Sequence, residues 1–176
     1  MASGSNNRCL VVSPLESADL VGLARCLALD AEVFPYPSIP LGLIAARHAW
    51  IATTDDDSKR LLGFVAASAR ARTLYIHGLA VARAERRQGA GRALLRACVA
   101  GARAATMIRV ALHVGTANAA AVALYASEGF IVGRRLPSFY REGIYAERSA
   151  YEMSLLLGGP SAPDAGRRTG RLGLPT

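Results

Sequence analysis

A chain of 176 residues that is 52% hydrophobic and 19% charged has the composition of one globular domain, which excludes a disordered or fibrous polypeptide. Its net charge of +8 is almost wholly arginine and suits an acidic ligand, a nucleic acid or a membrane surface. No nucleic-acid motif is present, the basic residues are scattered and no apolar run is long enough to span a bilayer, so neither nucleic acid nor membrane is expected as a partner.

Residues 1–8 are small and polar and are read as a disordered tail without a signal peptide's apolar centre, so the expected location is the cytoplasm. Cys9 to Ser13 reads as a strand. Ser13-Pro14-Leu15-Glu16 offers a helix start, and Leu20, Leu23, Ala24, Leu27 and Ala31 keep helical spacing. Three prolines, Pro35, Pro37 and Pro40, then forbid a continuous helix or a central strand, and a short helix is expected over Leu41 to Arg47. Trp50 to Thr53 and Leu61 to Ala69 read as strands joined by the polar turn Asp55 to Ser58.

Thr73 to Val81 is the next strand. An arginine-rich turn and a helix over Ala93 to Ala104 follow it. Arg109 to Val114 reads as strand and Asn118 to Glu128 as helix, stopped by Gly129. Ile131 to Arg135 and Ala150 to Leu157 are the last strands. Residues 158–176 are rich in Gly, Pro, Ser and Arg without periodicity and are read as a disordered tail. The order β-α-α-β-β-β-α-β-α-β-β describes an α/β domain over 9–157 with a mixed sheet flanked by helices. Cys9, Cys26 and Cys98 make no Cys-x-x-Cys pair, and His48, His77 and His113 do not fall at metal-ligand spacing, so neither a disulfide framework nor a metal is expected.

The segment Arg86-Arg87-Gln88-Gly89-Ala90-Gly91-Arg92 carries the most information. A strand that feeds a glycine-rich turn into a helix start gathers free backbone N–H groups at the positive end of a helix dipole, which is a phosphate site. Arg86, Arg87 and Arg92 add charge. It is not a Walker loop, because Lys59 is the chain's only lysine, and its glycine spacing is too short for a dinucleotide fingerprint. A cofactor bearing a pyrophosphate fits.

Arg86-x-x-Gly89-x-Gly91, following Tyr75 and preceding Asn118-x-x-Ala121-x-x-Leu124-Tyr125-x-x-x-Gly129-Phe130, resembles the acetyl-CoA-binding core of the GNAT acetyltransferases. The resemblance implies the GNAT fold, a mixed, mostly antiparallel sheet flanked by helices, with acetyl-CoA as cosubstrate. It assigns main-chain groups of Leu79, Ala80 and Val81 to the pantetheine arm and acetyl carbonyl. Arg86 through Arg92 go to the pyrophosphate. Asn118 becomes a helix cap that also reaches the cofactor, and Tyr125 the acid for the leaving thiolate.

Phe34-Pro35, Tyr75-Ile76, Leu112-His113-Val114 and Phe139-Tyr140 stand in register with one another and resemble the protein Nα-acetyltransferases. These include the ribosomal-protein alanine acetyltransferases, which usually carry Leu-Glu-Val where this chain has Leu112-His113-Val114. The histidine favours the NatE-type catalytic subunit. This finer resemblance implies transfer to the α-amino group of a protein or peptide N-terminus, with ribosome association as a further implied property. The α-amino group has a reference pKa of about 7.7–8.0 and must lose a proton, and imidazole titrates near neutrality. His113 is the candidate base. Tyr75 is either a water-positioning partner or, as phenolate, the base, and His77 is a lesser candidate on the same strand. Phe34, Pro35, Tyr36 and Tyr140 are the candidate walls of a peptide entrance suited to an apolar first residue such as Met. Phe139 stands where the family commonly has tyrosine, the segment from Arg141 to Tyr145 lacks the NatE-type Arg-Ile-x-Pro, and Tyr36 replaces a small aliphatic residue. An acetyltransferase of a small amine (a polyamine, an antibiotic or an amino acid) is the alternative.

Overall fold

The computed structural model describes residues 10–34, 48–140 and 148–158. In chain order its elements are β1 (Leu10–Pro14), α1 (Leu20–Val33), β2 (Ala49–Thr54), β3 (Leu61–Arg70), β4 (Thr73–Val81), a 3-10 turn at Arg83–Glu85, α2 (Ala90–Ala104), β5 (Arg109–Gly115), α3 (Ala119–Ser127), β6 (Ile131–Leu136) and β7 (Ala150–Leu156). Most bounds fall within two residues of the sequence reading. The helix expected over Leu41 to Arg47 and both expected tails lie outside the described residues, save Gly158.

Two starts differ, each for a local reason. Ser13 and Pro14 do not open α1. They end β1, opposite Ile51 and Trp50 of β2, where an edge strand tolerates a residue without an N–H. The helix begins instead behind Asp19, whose Oδ1 accepts the Gly22 N–H at 2.8 Å. Helix α2 starts at Ala90, earlier than expected, because Gly89 adopts φ +91° as its N-cap.

The seven strands form one sheet in the order β1-β2-β3-β4-β5-β7-β6. Only the β4–β5 pair is parallel, joined by the α2 crossover. Helix α2 is amphipathic: Leu94, Leu95 and Cys98 are fully buried, while Arg92, Arg96 and Arg103 face outward. Each buried leucine contributes about 1.5–3 kcal/mol of transfer free energy. With Tyr125 and Phe130 they pack on Val65, Leu74, Ile76, Leu112 and Met153. On the other face, Cys26 and Leu29 of α1 cover Phe64, Ala66 and Ala80.

A bulge in β4 shapes the site. Ala66 pairs with Gly78, but the next residue, Ala67, pairs with Ile76, so His77 is the extra residue. The alternation of faces changes there. Leu74 and Ile76 point into the α2 side, and beyond the bulge Leu79 and Val81 do so, with Ala80 turned toward α1. The ladder to β5 runs from Thr73↔Arg109 to Ile76↔Leu112, whereas β4 stays paired with β3 as far as Val81. The two parallel strands therefore part at the bulge, and the last residues of β4 present an open edge.

Candidate active site

The parallel register Tyr75↔Ala111 puts Tyr75 and His113 on one sheet face, and the Tyr75 hydroxyl is hydrogen-bonded to His113 Nδ1. Around this pair stand His77, its ring 5.0 Å from that of Tyr75, and Phe139, 4.3 Å from His113. Tyr140 meets Phe139 edge-on at 5.1 Å. Ser68 Oγ lies 2.7 Å from His77 Nε2 and fixes that ring.

Burial governs the titration of the group. It pushes the Tyr75 phenol up to about 12, with Tyr140 and Glu152 adding to the effect. Tyr75 is thus a neutral phenol at pH 7. Burial also holds His77 and His113 below the ordinary imidazole value. At His113 the Glu152 carboxylate opposes this and Arg134 reinforces it. Two uncharged imidazoles flank one phenol.

The open edge of β4 leaves main-chain groups unpaired with β5. Ala82 N–H bonds Leu62 O on the β3 side at 2.9 Å, so alternation directs the N–H and C=O groups of Leu79 and Val81 away from β3. Arg86 Nε donates to Val81 O at 3.1 Å and ties the following turn to this edge. In that turn Arg87 (φ +66°) and Gly89 (φ +91°) both have positive φ, a backbone form that turns successive N–H groups inward toward an anion. The first helical bond, Ala93 N–H to Gly89 O at 3.0 Å, leaves the N–H groups of Ala90, Gly91 and Arg92 directed off the end of α2. A Cβ built on Gly89 meets nothing within 4 Å, so the space before the turn is open. These features fit a pyrophosphate.

Not every residue of the motif faces that space. Arg92 pairs with Glu128 at 3.0 Å and bonds Ser127 Oγ at 3.3 Å, tying α2 to the end of α3. Arg96 holds the same carboxylate, at 2.7 Å. Gln88 Nε2 donates to Ala84 O. Asn118 caps α3 by accepting the Ala121 N–H at 3.2 Å. Tyr125 is buried against Phe130, and that burial raises its phenol well above the ordinary value, with Tyr140 again adding.

Phe34 closes α1, its N–H bonded to Asp30 O, and packs, as Leu61 and Ala82 do, against the α1-side cluster. Pro35 and Tyr36 lie outside the described residues. Two residues of the site, Ser68 and Glu152, were not singled out from the sequence; they enter through strand register, which leaves no local signal. Among the described residues no group of three His, Cys, Asp or Glu side chains is placed to hold a metal, and no helix is long and apolar enough to cross a membrane.

Residues 8–130 match the family model described as Acetyltransferase (GNAT) family. No curated protein matches the chain in sequence. Among solved structures, the ribosomal-protein-S18-alanine N-acetyltransferase from Escherichia coli is similar at 22% identity and TM-score 0.72, covering 88% of this chain and 99% of its own. Arabidopsis thaliana Naa50, in complex with the bisubstrate analogue CoA-Ac-MVNAL, is similar at 22% identity and TM-score 0.71, covering 84% and 99%. An IAA acetyltransferase from Bacillus cereus is similar at 18% identity and TM-score 0.69, covering 85% and 100%. These likenesses show the shared fold. An open β4 edge running into an anion-binding turn, within a matched family, leads to one conclusion: this chain belongs to the GNAT family and is an acetyltransferase that uses acetyl-CoA.

Proposed function

We propose that the enzyme acetylates the α-amino group of a peptide or protein N-terminus. The observation that carries this reading is the hydrogen-bonded Tyr75–His113 pair beside the open edge of β4. Acetyl-CoA supplies an activated acetyl thioester. The chain supplies everything else. The Tyr75 oxygen takes the proton of the acceptor amine, through water where needed, as its own proton passes to His113 Nδ1. Imidazolium forms and phenolate does not, in keeping with a phenol pushed up to about 12. Main-chain N–H groups of Leu79 and Val81 would hold the carbonyl oxygen where negative charge develops. Residues 86–91 would hold the pyrophosphate, and Tyr125 would return a proton to the leaving sulfur.

The cleft's electrostatics support a peptide amine over a polyamine. Glu152 is the acidic side chain beside His113, and both its oxygens are engaged by arginines. Among the described residues, a polycation would find no free carboxylate on this wall. Phe139, Tyr140 and the end of α1 at Phe34 offer apolar surface instead, which suits an N-terminal residue such as Met. The ribosome association implied by the resemblance and the cytoplasmic location expected from the sequence belong to the same reading.

The test is to locate the acetyl group. A peptide with one free α-amine and one internal lysine, incubated with enzyme and acetyl-CoA, is fragmented in a mass spectrometer. Acetyl on the first residue alone supports the proposal. Acetyl on the lysine alone contradicts it.

A further inference from the structure

One charged group beside His113 is unused by the mechanism above. Glu152 of β7 stands directly opposite His113 in the β5–β7 ladder, on the same sheet face. Residues so placed have Cβ atoms about 4.5–5.5 Å apart, within reach of one another's side chains. A carboxylate free to meet the imidazole would pair with it and favour the charged form. Here both oxygens are turned elsewhere. Oε1 accepts from Arg109 Nη2 at 2.8 Å, and Oε2 accepts from Arg134 Nε at 3.0 Å. Arg109 comes from the strand of His113 and Arg134 from the edge strand β6, so three strands contribute to one ladder of charge. The arrangement is not free: Arg109 Nε is buried without a hydrogen-bond partner among the described residues.

We propose that the Arg109–Glu152–Arg134 ladder is a positioning device that holds the Glu152 carboxylate off His113 and so keeps this imidazole an uncharged proton acceptor. The proposal deepens, and rests on, the reading of His113 as the group that takes the proton. Among the described residues, the titratable and charged groups facing His113 are Tyr75 and His77 from β4, Arg109 from β5, Glu152 from β7, Arg134 from β6 and Tyr140 beyond β6. At neutral pH, of these only Glu152 draws a proton onto the ring. The two arginines are what restrain it.

Arg134 can be changed without touching the core, because its side chain is 75% exposed. The experiment follows His113 by NMR in the isotope-labelled full chain, its signal assigned by loss in His113→Gln, and in parallel measures kcat/KM against pH. In Arg134→Gln the titration should move up by roughly half a pH unit, the scale of one partly screened charge. In Glu152→Gln it should move down. Arg134→Lys, which keeps the charge, should stay near the parent. Opposite shifts cannot come from general loosening of the fold. If neither variant moves His113, or both move it the same way, the proposal is overturned. If His113 moves as expected while the acid limb of the rate stays in place, the ladder stands and the base is another group.

Discussion

Tyr75 and His113 lie 38 residues apart in sequence and are hydrogen-bonded side chain to side chain, because β4 and β5 run parallel with Tyr75 opposite Ala111. Removing the end of this relay should show in turnover rather than in cofactor affinity. His113→Ala should lower kcat by roughly 10²–10⁴-fold, the range of general-base contributions, with acetyl-CoA affinity nearly unchanged. Tyr75→Phe should cost less, since imidazole remains. In the parent enzyme the acid limb of kcat/KM should fall below the ordinary imidazole value of about 6.5, because burial disfavours imidazolium. Steady-state kinetics from pH 5 to 8 checks all three. A His113→Ala enzyme of full activity contradicts the relay.

The same burial makes stability depend on pH. His77 and His113 titrate lower in the folded protein than in the unfolded chain. As pH falls below about 6.5 the unfolded chain takes up protons first, so stability should decline from there downward and level off below the folded values. Glu152 is shifted down too, by its two arginine partners. For a carboxylate that contribution is present above its unfolded value and is lost as pH falls through the folded one, which adds a second decline below about 4.5. Urea unfolding followed through Trp50, the only tryptophan, should give a lower midpoint at pH 5.5 than at pH 7. The double variant His77→Gln/His113→Gln should flatten that difference.

Gly89→Val places a β-branched residue at φ +91°. Nothing lies within 4 Å of the added Cβ, so the cost is backbone strain, about 1–2 kcal/mol, not a clash. The fold should survive while acetyl-CoA binding, read by calorimetry, is lost. Arg92→Ala should do much less to affinity, because Arg92 is spent on Glu128 and Ser127. Equal losses from the two changes would show that Arg92 reaches the phosphates after all.

Two opposing effects meet at Gly101, inside α2. Alanine there gains about 1 kcal/mol in helix propensity. Its Cβ would lie inside van der Waals contact of the Trp50 ring, and overpacking costs about 1–3 kcal/mol. Trp50 is held between Pro14 and Val65 in the sheet, so the clash should win. Gly101→Ala should lower Tm by a few degrees, and adding Trp50→Phe should recover most of it.

Much of this was legible in the sequence because it is local. The turn from Arg86 to Arg92 announces itself by glycines at a helix start, and Asn118 by its place before one. Alternation put Tyr75 and His113 on strands. Their contact was not legible from spacing, since it depends on which strands neighbour which, and it followed only from family resemblance. The bulge at His77 and the pairing of His113 with Glu152 are register effects, invisible in either strand alone. Ser13-Pro14 misled because Ser-Pro before acidic residues imitates a helix start, when Asp19 does the capping.

A free peptide N-terminus is the proposed acceptor. Thiol release from acetyl-CoA tests it on peptides beginning Met-Leu, Ala and Ser, each with a free and a blocked N-terminus, alongside spermidine and an aminoglycoside. Turnover confined to the free peptides, with Met-Leu among the best, is the predicted result. Turnover on the small amines alone would contradict it and leave an acetyltransferase with a different acceptor.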